Sequence, residues 1–281
     1  MKSVCVGDNV IDYYVNTGQM FPGGNSLNVA VHLARMGNES SYLGNIADDQ
    51  MAKVIIRSLK NNNVDFSQCE IVRNSTTKHC NYEVIDGERT FLSVELGGNW
   101  SGPMELTEEK IEYLKGFDAI ICNCNAKMPE EMKKISQLDS LYVYDFGEKE
   151  KYHVDEYLDQ VCENLDLAMF SFPHADEETL QAFAKRIMAH GCANVLITMG
   201  SHGQYLISEK GTVNGEISAV DAVDTMGAGD SFLAGFVSGM FSQGWRKGAA
   251  LAGETAVRAL QIASRYAGEN CLKEGGFGES V

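Results

Sequence analysis

Residues 224–232 read Asp-Thr-Met-Gly-Ala-Gly-Asp-Ser-Phe, directly ahead of apolar residues at helical spacing: Phe232, Leu233, Phe236, Val237, Met240 and Phe241. The pattern predicts a tight turn feeding a buried helix. The N–H groups of Gly227, Ala228 and Gly229 would point out of the helix N-terminus, where the macrodipole also favours negative charge. Asp230 stands beside that anion-sized site. A carboxylate there can take the proton of an attacking hydroxyl while the N–H groups stabilise a transferring phosphoryl group, which is the chemistry of a kinase. The alternative, a first-turn acid on a Gly-rich N-terminus, explains one Asp but not two glycines, a small residue and a second acid in one run. Asp224 reads as a brace for the turn through backbone N–H bonds, and Thr225 either as a phosphate-positioning hydroxyl or as a plain loop residue.

This run matches D-T-x-G-A-G-D-x-F, the C-terminal signature of the ribokinase-like (PfkB) carbohydrate kinases, which the chain resembles. Gly23-Gly24-Asn25-Ser26-Leu27-Asn28-Val29-Ala30, followed by Leu33-Ala34-Arg35-Met36-Gly37, is similar to the N-terminal signature of the family. Gly7-Asp8-Asn9 with Asp12, and Thr198-Met199-Gly200-Ser201-His202-Gly203, also fit, so the resemblance runs the length of the chain. It implies that Asp12, Asn28 and the Gly23-Gly24 backbone bind sugar hydroxyls. Carboxylate and amide side chains suit that task because each can bond adjacent hydroxyls, while glycines let a substrate approach the backbone. Asp8 either joins them or satisfies N–H groups near its strand end. Thr198, Gly200, Ser201 and Gly203 resemble a nucleotide-binding T-x-G-x-x-G segment, so ATP and Mg²⁺ are implied. The Gly7-Asp8-Asn9 start and Met226 resemble family members that phosphorylate fructoselysine at its 6-hydroxyl. Ribose, fructose or a nucleoside as substrate, or a catalytically poor sugar-binding regulator, remain the alternatives.

Two departures concern the metal. Relatives commonly carry N-x-x-E where this chain reads Ser171-Phe172-Pro173-His174-Ala175-Asp176-Glu177-Glu178, and their G-x-D run is Ala47-Asp48-Asp49 here. Asp176 and Glu177 are the candidates to hold Mg²⁺ through water; a helix-start role is the competing explanation. No G-x-x-x-x-G-K-[ST] loop is present, and Phe232 occupies the place of the third small residue of a dinucleotide fingerprint, which argues against a Rossmann dehydrogenase.

The elements that must position these residues alternate. Apolar strand-like runs at Val4–Gly7, Ser41–Ile46, Ala119–Asn123, Leu141–Phe146, Leu167–Ser171 and Asn194–Met199 are interleaved with helical periods such as Asn25–Met36. The expected class is α/β and ribokinase-like, a mostly parallel sheet with helices on both faces plus a small β lid. Ligands in such sheets sit beyond the carboxyl ends of the strands. Residues 78–85 and 88–95 break the alternation as two strands around Asp86-Gly87, a type I′ turn pair. Counting outward pairs Val84 with Arg89, Tyr82 with Phe91 and Cys80 with Ser93, and Glu83 with Thr90 and Asn81 with Leu92.

The resemblance makes this hairpin, with residues near Asp12–Gln19, a lid over the sugar; a surface hairpin without catalytic part is the alternative. The expected division is a core of 1–12, 21–75 and 101–281 and a lid of 13–20 and 76–100. Arg89 is a further substrate-binding candidate, with Glu83 on the opposite face of the ribbon and the Tyr13-Tyr14 region nearby. The exposed lid edge offers a route to a homodimer. The Gly- and charge-rich tail from Gly268 to Val281 is expected to be poorly ordered.

A 281-residue chain with 44% hydrophobic residues can bury a large core. The net charge of −16 opposes a nucleic-acid partner, which would need a basic face. A local anion hole can still hold ATP. With no long apolar run and no basic-apolar leader, the expectation is a cytoplasmic protein without a membrane partner. The eight cysteines lack C-x-x-C spacing and read as reduced, mostly buried thiols.

Overall fold

The computed structural model describes residues 1–85, 88–98 and 104–281, with the backbone alone for 84, 85, 88 and 89. In chain order β1 (Lys2–Val6), β2 (Val10–Tyr14) and β3 (Gln19–Gly23) precede α1 (Asn25–Arg35), β4 (Glu39–Leu43), β5 (Asn45–Ala47) and α2 (Gln50–Asn61). Next come β6 (Glu70–Val72), β7 (His79–Ile85), β8 (Glu88–Glu95), α3 (Glu108–Leu114), β9 (Ala119–Asn123), α4 (Pro129–Ile135) and β10 (Leu141–Gly147). The chain continues through α5 (Asp155–Val161), β11 (Leu167–Ser171), α6 (Glu177–Ala189), β12 (Asn194–Thr198), β13 (Gln204–Ser208) and β14 (Gly211–Gly215). It closes with α7 (Ala228–Ser242) and α8 (Gly253–Cys271).

Eight strands form the main sheet in the order β14-β13-β12-β11-β10-β9-β1-β4. The six from β12 to β4 in that order are parallel, β13 pairs antiparallel with β12, and β14 pairs antiparallel with β13. Period-2 alternation divides the apolar strands between two cores. Cys5, Ile121, Val143, Met169 and Leu196 pack with residues of α1, α2, α7 and α8, whereas Val4, Val6, Ile120, Tyr142 and Phe170 pack with residues of α3 to α6. The helix predicted after the Gly-rich turn is α7, which packs against both α1 and α8. It is buried nearly throughout its first three turns, as its almost unbroken apolar sequence requires.

A second sheet has the order β3-β2-β7-β8. It takes in Val10–Tyr14 and Gln19–Gly23, more of the N-terminal hairpin than the expected 13–20. Tyr82 pairs with Phe91, rings 5.7 Å apart, as the count from the turn requires. Beyond that point a bulge in β8 at Leu92 shifts the register: Asn81 lies opposite Ser93 and Cys80 opposite Val94. One extra residue in a strand moves every later pair, which uniform counting cannot foresee. The Asp86-Gly87 turn lies outside the described residues.

The expected strand Ser41–Ile46 is two strands. The chain leaves the main sheet at Gly44, and β5 pairs with β6 in a small sheet of its own. The tail is also firmly held, contrary to expectation. Phe277 is buried, Met20 and Val281 exchange both main-chain hydrogen bonds, and the Glu279 carboxylate accepts from Arg35, Ser58 and Asn62. Its composition resembles a solvated terminus, but its glycines let the backbone press against Phe21 and Asn28. All eight cysteines are free thiols. Among the described residues no helix is long and apolar enough to cross a membrane.

Candidate active site

The N-termini of α1 and α7 meet over the carboxyl ends of β1, β9, β10 and β11, and Asp230 lies where they converge. Its Oδ2 accepts from Asn28 Nδ2 at 2.8 Å and its Oδ1 from Asn25 Nδ2 at 3.1 Å. Asn25 Nδ2 also reaches Asp145 Oδ2 at 3.3 Å, and Asn25 Oδ1 accepts from Asn125 Nδ2 at 2.7 Å. Burial pushes the Asp230 carboxyl up to about 8; the Asn28 and Asn25 donors oppose the rise, while the charges of Asp145 and Asp8 add to it. Burial likewise raises Asp145 to about 6, against the Gly147 N–H and Asn25 bonds that favour its ionised form. A base of raised pKa is a stronger proton acceptor once ionised, which suits proton removal near neutral pH.

Gly227 opens α7 at φ 69°, and a Cβ there would land on the Gly276 carbonyl oxygen. Only glycine meets both demands. Asp224 braces this turn as expected: Oδ1 accepts from Met226 N at 2.9 Å and Oδ2 from Gly275 N at 2.9 Å. Of the predicted N–H trio, Ala228 donates back to the Thr225 carbonyl at 3.2 Å, and Ser231 closes the first helical bond onto Gly227. Gly229 and Asp230 have no carbonyl one turn behind them within the helix, so their N–H groups belong to the dipole-favoured end. Thr225, Gly227, Ala228, Gly229 and Asp230 border a cleft of about 330 Å³ together with Asn25, Asp145, Lys149 and Ser171.

Asp12, Gly23 and Asn28 form a neighbouring group. A Cβ on Gly23 would sit 3.4 Å from Asp12 Oδ2 and 3.7 Å from Asn28 Oδ1, so glycine keeps the space between these two polar groups open. Asn28 Oδ1 is buried without a hydrogen-bond partner, which leaves an acceptor for a donor absent from the protein. Gly24 precedes α1 as its cap residue. Asp8 is engaged structurally: its carboxylate accepts from the N–H groups of Asn25 and Ser26 at the head of α1, each at 3.3 Å, and from Asn123 Nδ2 at 2.9 Å.

Other predicted residues do not join the cleft lining. Thr198 ends β12, where its hydroxyl lies 3.4 Å from that of Ser171; Gly200 and Ser201 form a short 3₁₀ turn followed by Gly203. This segment is therefore one strand over from the cleft. Asp176 caps α6, accepting from Thr179 N at 2.8 Å, and Glu177 accepts from Gln181 in the first turn. Helix-start duty accounts for both acids. Among the described residues no three His, Cys, Asp or Glu side chains are grouped to hold an ion, so a protein-built Mg²⁺ cage does not fit the residues present. Arg89 lies in β8 opposite Val84, and its side chain is outside the described residues. Cys80 pairs with Asp12 and Tyr82 with Tyr14, so strand alternation puts Glu83 on the face away from Asp12.

Three site residues escaped sequence reasoning. Asp145 was legible as an acid near the end of an apolar strand, and Asn25 as a polar residue between Gly24 and the buried stretch of α1. Asn125 gave only a weak signal, in the run Asn123-Cys124-Asn125 at a strand end.

Compared with known proteins, residues 3–278 match the model of the pfkB family carbohydrate kinases. The chain is 30% identical over 282 residues to the fructosamine kinase FrlD of Bacillus subtilis, covering 99% of this chain and 93% of that one. It is 31% identical over 267 residues to fructoselysine 6-kinase of Escherichia coli, covering 93% and 98%. In fold it is similar to Arabidopsis thaliana ribokinase complexed with ribose and ATP, with a TM-score of 0.81 at 20% identity over 98% of this chain and 94% of that one. The turn that aims Asp230 thus sits in a fold shared with sugar kinases, and the chain belongs to the pfkB family of carbohydrate kinases.

Proposed function

We propose that this sugar kinase transfers the γ-phosphoryl group of ATP to a primary hydroxyl of a glycated amino acid, fructoselysine giving its 6-phosphate. The observation that carries the transfer chemistry is Asp230, buried at the head of α7 with both carboxylate oxygens held by amides. Asp230 accepts the hydroxyl proton as the oxygen attacks the γ-phosphorus, and ADP departs. The N–H groups of Gly227, Gly229 and Asp230 face the charge that develops on the transferring group. Asp12, Asn28 and Gly23 hold the sugar hydroxyls, with the unpartnered Asn28 Oδ1 accepting one of them. The nucleotide extends from the cleft toward Thr198, Gly200, Ser201 and Gly203, with Thr225 beside its phosphates. The choice of sugar is supported by the names of two relatives at about 30% identity. The sheet of β2, β3, β7 and β8 acts as the lid over that sugar and as the surface of a homodimer.

ATP consumption measured over a panel of fructoselysine, other glycated amino acids, fructose, ribose and nucleosides tests the reading. Preference for fructoselysine by kcat/KM is the expected result. A preference for a free sugar overturns the substrate while leaving the sugar-kinase chemistry in place, and no turnover of any of them overturns the catalytic reading.

A further inference from the structure

What fixes the Asp230 carboxylate comes from another element. Both amides that grip it, Asn25 on Oδ1 and Asn28 on Oδ2, belong to α1. Asn28 also borders the sugar group, whereas Asn25 spends its remaining bonds on protein: Nδ2 to Asp145 Oδ2 at 3.3 Å and Oδ1 from Asn125 Nδ2 at 2.7 Å. An amide has a donor end and an acceptor end, and its third partner decides which end faces an acid. Here Asn125 occupies the carbonyl and turns the NH₂ toward both carboxylates. Asn125 is held in turn, its N–H donating to Asn123 Oδ1 at 2.8 Å, and Asn123 donates to Asp8 and Ser26 at the head of α1.

We propose that Asn25, oriented by Asn125, is a positioning residue of the phosphoryl transfer: it fixes the plane of the Asp230 carboxylate and joins it to Asp145, so that the two acids titrate as one coupled pair. The inference rests on Asp230 as the base. The titratable groups around Asp230 are Asp145 of β10, Asp8 after β1, Glu148 and Lys149 along the cleft, and the thiols Cys5 and Cys124. Burial raises both thiols well above the ordinary thiol value, so they stay neutral. Because Asn25 donates to the ionised form of both acids, its loss shifts the pair toward protonation.

Two variants and their combination test this. Asn25→Ala removes the donor. Asn125→Asp replaces the donor facing Asn25 Oδ1 with an acceptor, so the Asn25 amide turns its oxygen to the acids although position 125 touches neither. Carbon-13 titration of the aspartate carboxyls in the substrate-free protein, with Asp230 assigned through Asp230→Asn, is expected to move the Asp230 midpoint up by about one pH unit in both variants. In turnover, kcat is expected to fall ~10–10²-fold with both KM values nearly unchanged, and the acid limb to move to higher pH. The double variant should be no worse than Asn25→Ala alone. An unmoved midpoint in folded Asn25→Ala, or additive losses in the double variant, overturns the proposal. If Asn25→Ala does not fold, the same titration of Asn125→Asp decides. The titration needs no substrate, so it reads the amide grip even where the sugar assignment fails.

Discussion

At the scale of single residues, Asp230 does two things that pull against each other. As the proposed base it must take a proton, and burial makes its charged form costly. Asp230→Asn keeps the shape and removes the acceptor, so kcat is expected to drop ~10²–10⁴-fold in steady-state assays on the best substrate. The same variant should melt at a higher temperature than wild type above neutral pH. The folded carboxyl titrates at about 8, above its unfolded value, so its contribution to stability is fully present below the unfolded pKa and is lost as pH rises through about 8. Calorimetry across that window checks the sign; an Asn variant that loses stability at alkaline pH would count against it. In the free enzyme kcat/KM should rise with pH along an acid limb near 8, since only ionised Asp230 accepts the proton. Asp230 was legible in the sequence because its neighbours form a motif with a backbone reason behind it. Asp145 was visible only as an acid near the end of an apolar strand, and its place in the site was not, because that depends on the parallel register that brings the strand's end beside α1.

At the scale of elements, the Gly227 turn depends on a segment whose composition argued for disorder. Gly275 donates to Asp224, while Gly276 packs on Gly227 and its carbonyl accepts from Asn270 and contacts His32. His32 is buried and held neutral, its pKa lowered to about 3 chiefly by burial, which suits a ring fixed between Gly276 O and the Tyr266 hydroxyl. Gly227→Ala should therefore fail twice, through its left-handed φ and through collision with Gly276. The expected cost is about 1–3 kcal/mol of stability together with most of kcat. Truncation after Lys273 should lower kcat and the melting temperature together, because it removes the braces of the turn and the Val281 pairing with β3. A truncated protein of wild-type kcat would show that the tail only decorates the turn. Helix α7 was readable from its period and Gly-rich start. The tail was not, because its bonds are long-range and each residue alone looks solvated.

At the scale of the molecule, a mostly parallel sheet was legible from alternation, while its strand order and the surfaces were not. A charge of −16 keeps copies of the chain apart, yet the second sheet ends in β8, an edge strand that exposes Phe91 (54%), Leu92 (48%) and Val94 (43%), with Leu96 (52%) just beyond it. An apolar edge of this kind is ordinarily blunted by charge, and here Glu95 at its end and the bulge at Leu92 both interrupt it. The bulge breaks the ladder that open-ended strand addition would need, so the geometry favours closure of two lids about a two-fold axis. Sedimentation at physiological ionic strength should then give twice the chain mass of 30.8 kDa. Lowering the salt should weaken the dimer, because two strongly acidic copies repel over a longer Debye length. Leu92→Lys combined with Val94→Lys should yield a folded monomer whose KM for the sugar rises more than its KM for ATP, if the second sheet is the sugar lid proposed above. A wild-type monomer, or a double variant that stays dimeric, would remove the lid as the interface.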